Sequence, residues 1–115
     1  MANLRIFTID HNGGGALYFD GADDYVDISA DVSEIELSIT FWFKTEAAGT
    51  GLVSMDAGIR GAEGHDRDIY LDETGRMVVL LWDGTLQKYE ALVTQAAFND
   101  GIWHHVAYVY SDNGA

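Results

Sequence analysis

The chain contains no cysteine. That excludes disulfide frameworks, thiol nucleophiles and zinc–thiolate sites, and leaves the redox compartment open. Basic residues are scarce: 6 Lys and Arg stand against 19 Asp and Glu, a formal net charge of −13. Such a chain is repelled by phosphate backbones and anionic lipid, which argues against nucleic-acid and membrane-surface partners and favours divalent cations. No apolar run approaches the ~20 residues of a membrane span, so no membrane insertion is expected. Met1-Ala-Asn-Leu-Arg is not followed by an uninterrupted apolar stretch, and no signal peptide is read there. There is no G-x-S-x-G, no phosphate loop and no basic–aromatic stripe, so nucleophile-elbow and nucleotide-binding readings lapse for want of residues.

What is present describes a folded β protein. With 115 residues, 48% apolar and 12% aromatic, the chain is the size of one domain, and residues 1–115 are read as one. A chain of this length buries roughly 65% of its unfolded surface, enough for a core. Alternation with period two dominates. Leu37, Ile39, Phe41 and Phe43 fall on one strand face, with Ser38, Thr40, Trp42 and Lys44 opposite; Ile102, His104, Val106, Tyr108 and Tyr110 alternate with Trp103, His105, Ala107 and Val109. Shorter strands are expected at 17–20, 25–28, 51–55, 68–71, 76–82 and 86–93. Asn12-Gly13-Gly14-Gly15, Asp20-Gly21, Thr74-Gly75, Asp83-Gly84 and Asn99-Asp100-Gly101 mark turns between them. The one helical candidate is the polar stretch 30–36, of one or two turns. Residues 57–67, "AGIRGAEGHDR", form the longest stretch without periodicity and are read as a loop in which specificity would reside. The pattern predicts an all-β antiparallel sandwich or jelly roll.

Four segments, "ALYFDGADDYVDI", "LSITFWFKT", "DIYLDETGRMVVLLW" and "FNDGIWHHVAYVY", stand in this order over about residues 16–111. Together they resemble the laminin-G-like, concanavalin A-like lectin/glucanase superfamily. The resemblance implies a two-sheet antiparallel jelly-roll β-sandwich and a non-enzymatic module that binds a glycan or a protein on a secreted, cell-surface or virion protein. In similar members the W-H-H-V strand runs through a turn into a strand reading like L-Y-V-D-G. Here 111–115 has the composition of that turn, so the closing strands are expected to be missing. An uncovered, half-apolar strand edge invites pairing. A longer parent chain, residues 4–9 filling the gap, or strand addition from another chain would each cover it. The last makes a homo-oligomer or a structural component of a phage or virus particle the alternative reading.

Four aspartates fall within eight positions, 20–27. Thirteen of the 19 acids are Asp, which suits both turns and hard-cation sites. The spacing is not that of an EF-hand, which needs D-x-[DN]-x-[DN]-G and a Glu at the twelfth position, where this chain has Asp31. A β-turn is one reading. The other is a calcium site of Asp20, Asp23 and Asp24 with Asp100 from a neighbouring loop, since calcium accepts six to eight oxygens at flexible geometry and is common among members the chain resembles. Glycosidase chemistry needs two carboxylates about 5–10 Å apart across a cleft. The glucanase branch carries E-x-D-x-E on one strand, and neither Glu34-Ile35-Glu36 nor Asp68 to Glu73 matches it.

His104 and His105 are strand neighbours and point to opposite faces, so they cannot chelate one metal; one is expected inside with a hydrogen-bond partner, the other outside. Of the tryptophans, Trp103 is read as core and Trp82, at a strand end, as exposed. Arg60, His65, Asp66, Arg67 and Trp82 form the candidate ligand-binding set.

Overall fold

A computed structural model describes residues 5–8, 15–26, 36–56, 65–83 and 88–111. The described residues form eight strands and no helix: β1 Arg5–Thr8, β2 Gly15–Tyr18, β3 Glu36–Phe43, β4 Thr50–Asp56, β5 His65–Leu71, β6 Arg76–Asp83, β7 Lys88–Ala97 and β8 His104–Ser111. All pairings are antiparallel. The chain divides into two compact units, Met1–Glu34 and Ile35–Ala115.

In the first unit β1 and β2 make a hairpin, Arg5 opposite Tyr18 and Thr8 opposite Gly15. The expected strand at 17–20 therefore begins and ends earlier. Within the stretch 4–9, expected as one way to cover a free edge, Arg5–Thr8 pairs with Gly15–Tyr18 in a two-stranded sheet. Tyr25 and Val26, expected in a strand, are not in one. Most of the expected helix at 30–36 lies outside the described residues, and its last residue, Glu36, opens β3.

The second unit holds two antiparallel sheets, β3–β8 and β4–β5–β6–β7. Their alternating apolar faces meet. Phe43, Ile69, Leu71 and Met77 are buried together, with Ile39, Phe41, Val53, Val79, Val106 and Tyr108 packed around them. Leu71 is completely enclosed, and burial of a side chain of this size contributes about 2 kcal/mol. The odd residues of β3 and the even residues of β8 point inward, as their alternation requires. One β-sandwich is thereby built on two strands facing four. Coverage is unequal for that reason. Leu92 on the edge strand β7 pairs with the inward-facing Val79, yet stays 69% exposed.

Two expectations about side chains are corrected by this packing. Arg67 does not stand in a loop, because β5 already begins at His65. It shares the inner face with Ile69 and Leu71, is buried, and lays its guanidinium 5.1 Å from the centre of the Tyr110 ring. Its aliphatic stem covers apolar surface while the ring meets the charge. Trp103 is not core: it precedes β8 and is 50% exposed.

Candidate functional site

Three turns at one end of the sandwich interlock, and each contact uses a glycine. Gly49 donates its N–H to Asp72 O at 2.9 Å, Phe98 donates to Gly75 O at 2.8 Å, and Gly101 donates to Thr45 O at 3.0 Å. The turns at 45–49, 72–75 and 98–101 are thus joined pairwise in a ring. Gly49, Gly75 and Gly101 have φ of 60°, 81° and 76°, a left-handed region where a side chain is strained. Space points the same way. A Cβ on Gly75 would collide with the Asn99 side chain, and one on Gly49 would lie 2.7 Å from Glu73 Oε1.

The central turn is internally neutralised. Asp72 Oδ1 accepts hydrogen bonds from Thr74 N (2.8 Å), Thr74 Oγ1 (2.6 Å) and Arg76 N (3.0 Å). Asp72 Oδ2 takes Arg76 Nε at 3.1 Å, and the same guanidinium closes an ion pair at 3.0 Å. The Thr74 hydroxyl foremost, then the backbone N–H groups and Arg76, hold the Asp72 carboxyl down to about 2 against the opposing effect of desolvation.

Next to it, Asp100 Oδ1 meets His104 Nε2 at 2.8 Å and accepts from Ile102 N at 3.2 Å. The His104 bond is the main reason the Asp100 carboxyl lies below its ordinary range. His104 packs inward between Phe43 and Phe98, with ring centres 5.7 and 5.1 Å away, while His105 lies outside against Trp42 at 5.0 Å. The expected division of the two imidazoles, one inside and hydrogen-bonded, one outside, is what the fold contains.

Between residues 49–51 and 70–73, next to this ring of turns, lies an open trough of about 360 Å³. That is within the size range of small-ligand sites. Gly51 stands opposite Tyr70 in the β4–β5 register, so a missing side chain faces an aromatic ring.

The described members of the sequence-derived ligand set fall at the other end of the same strands. Arg67 pairs with Leu81, next to Trp82, roughly 17 Å along β5 from residue 72 at strand rise. Trp82 is 39% exposed, as expected of a strand end, though Trp42 at 64% is more so. Arg60 lies outside the described residues; His65 and Asp66 open β5, with their side chains outside the described set. Tyr70 is one of several aromatic rings that the sequence offers for stacking on a ligand, whereas Glu73 as a contact residue and the glycines of the trough escaped sequence reasoning. The Gly51–Tyr70 juxtaposition is fixed by register alone, although "DETG" and "NDG" did signal two of the turns.

In the first unit, Asp20, Asp23 and Asp24 bring one carboxylate oxygen each within 4.8 Å of one another. Asp20 Oδ1 accepts from Ala22 N at 2.9 Å and Asp24 Oδ2 from Asp20 N at 3.0 Å, an Asx-type turn. Asp24 Oδ1 is enclosed and has no hydrogen-bond partner. Each acid therefore keeps acceptor capacity, and the donor set is the hard oxygen type that calcium takes, with waters or carbonyls completing six to eight positions. The fourth expected ligand, Asp100, lies in the second unit, where its carboxylate is committed to His104 and Ile102.

The family model Laminin_G_3, described as the concanavalin A-like lectin/glucanases superfamily, matches residues 19–115, and the chain belongs to that family. Comparison with curated proteins and with solved structures gives no match.

Proposed function

We propose that this concanavalin A-like module is a non-enzymatic recognition domain that binds a glycan or a protein through its rim loops, with calcium held by Asp20, Asp23 and Asp24. The observation that carries the reading is the trough beside the three interlocked turns. A rigid scaffold that pins its loops to one another keeps a binding surface preorganised, which reduces the entropy lost on association. The opposite rim, where β5 begins at His65 and β6 carries Trp82, is the alternative location for the same function.

For hydrolysis, Asp68 and Asp72 are carboxylates of the segment set beside the glucanase pattern, one of which would have to act as general acid. Ser54 Oγ donates to Asp68 Oδ1 at 2.6 Å, and Asp72 at about 2 carries no proton to give near neutral pH. Laminin G-like domains are often extracellular, and we extend the proposal to a setting outside the cell or on a cell or virion surface.

The test is a glycan and protein array probed with the folded chain in calcium and in chelator. The expected result is a ligand-specific signal that falls in chelator and is lost when the trough is filled. Silence on both arrays, or steady turnover of a β-glucan panel, overturns the reading.

A second reading, an assembly component of a particle surface, is favoured by the apolar exposure on β7 and β8, where Leu92 and Val109 are 69% and 70% exposed. Exposed apolar edge strands recruit further strands. Native mass spectrometry separates the two: a discrete multimer speaks for assembly, a monomer with retained calcium for recognition.

A further inference from the structure

The trough has one wall and one polar group that are unspent. Tyr70 lines it, and a Cβ placed on the facing Gly51 would meet nothing within 4 Å. At its end the Glu73 carboxylate lies over Gly49 and, among the described residues, enters no ion pair. The neighbouring Asp72 has its acceptor sites filled by Thr74 and Arg76. The free chemistry is therefore an aromatic ring beside a single carboxylate, on a chain whose net charge is −13.

An anion is repelled by that field. A neutral sugar needs donors as well as acceptors, and the trough's side chains offer only the hydroxyls of Thr50 and Tyr70 as donors. A planar cation on an apolar stem fits all three features. Its fork pairs with a carboxylate through two parallel hydrogen bonds, its plane lies on a tyrosine, and its methylenes fill the space left by a glycine. The chain already joins these groups internally, with Arg67 over the Tyr110 ring.

We propose that the trough of Gly51, Tyr70 and Glu73 is a socket for an arginine side chain presented by a protein partner. This deepens the rim-recognition reading and rests on it, selecting the protein ligand over the glycan and naming the contact. Glu73 pairs with the guanidinium, Tyr70 stacks on it, and Gly51 provides clearance.

The test is titration of the ¹⁵N-labelled full chain with N-acetyl-arginine methylamide and with its uncharged isostere N-acetyl-citrulline methylamide. The expected result is saturable shifts at the amides of Gly49, Gly51, Tyr70 and Glu73, with citrulline weaker by about fivefold or more. Raising the salt weakens the arginine complex. Glu73→Gln brings arginine to the citrulline level, and Gly51→Val blocks both. Gly51→Ala, which meets no neighbouring atom, and Glu73→Gln each stand as a test if the valine variant fails to fold. Equal response to arginine and citrulline, or arginine shifts elsewhere only, overturns the socket. Methyl β-glucoside shifting these amides where arginine does not also overturns it, and leaves rim recognition standing. Arginine binding with silent arrays supports the socket and counts against the glycan arm alone.

Discussion

Two acidic turns in this chain look alike on paper and differ in what they leave unspent. At 72–75 a single aspartate is surrounded by donors: a threonine hydroxyl, two backbone N–H groups and a guanidinium. At 20–24 three aspartates share two backbone donors, and one enclosed oxygen, Asp24 Oδ1, is left without a hydrogen bond. The first turn uses its charge to hold the backbone. The second holds its backbone and keeps charge in reserve. A site is marked by acceptor capacity that the fold has not consumed, and the number of acids does not measure that.

The sharpest break of the comparison is at Gly75. Gly75→Ala forces a side chain into φ +81° and onto Asn99, which should destabilise by roughly 3 kcal/mol. A urea midpoint indistinguishable from that of the unaltered chain would show that the turn ring is not a structural lock.

Calcium comes next. At a hundredfold excess over its dissociation constant a cation that binds only the folded chain adds about 2.7 kcal/mol. The thermal midpoint is expected to rise with calcium, and Asp23→Asn should lower the affinity. Identical melts in calcium and chelator remove the metal from the account.

Asp72 should respond to pH instead of metal. Its folded pKa, about 2, lies below the unfolded value of 3.8, so its contribution is present above the unfolded value and is lost as pH falls through the folded one. Asp72→Asn is expected to lower the melting temperature at pH 7 and to flatten the stability profile between those two values, with or without calcium.

The smallest effect sharpens the contrast most. Asp24→Asn keeps an oxygen for the Asp20 N–H and removes one charge from the cluster. In chelator its stability should stay within about 0.5 kcal/mol of the unaltered chain, while the calcium increment disappears. A large loss in chelator would make the turn as structural as its counterpart at 72–75.

Sequence patterning located most of the sheet residues. The alternation in 37–44 and 102–110 sorted residues onto two opposite faces and separated His104 from His105; the packing set His104 within and His105 without. Patterning misplaced Arg67 because the 57–67 stretch was read as one loop, although Arg67, Ile69 and Leu71 already share a period of two. It misplaced Trp103 because burial of that ring depends on what lies over it, and among the described residues two strands face four. The ligand set was sought where polar residues cluster in sequence, whereas the trough arises from 49–51 and 70–73, brought together by strand pairing.

The sequence by itself determined the all-β class, the family, the strand faces and the position of most turns. These depend on side-chain periodicity and on local chemistry within a few residues. Tertiary structure decided which acids are satisfied, which aromatic rings are exposed and where an empty space is left. Neutralisation and enclosure are properties of neighbours in space, and strand pairing chooses those neighbours from distant parts of the chain.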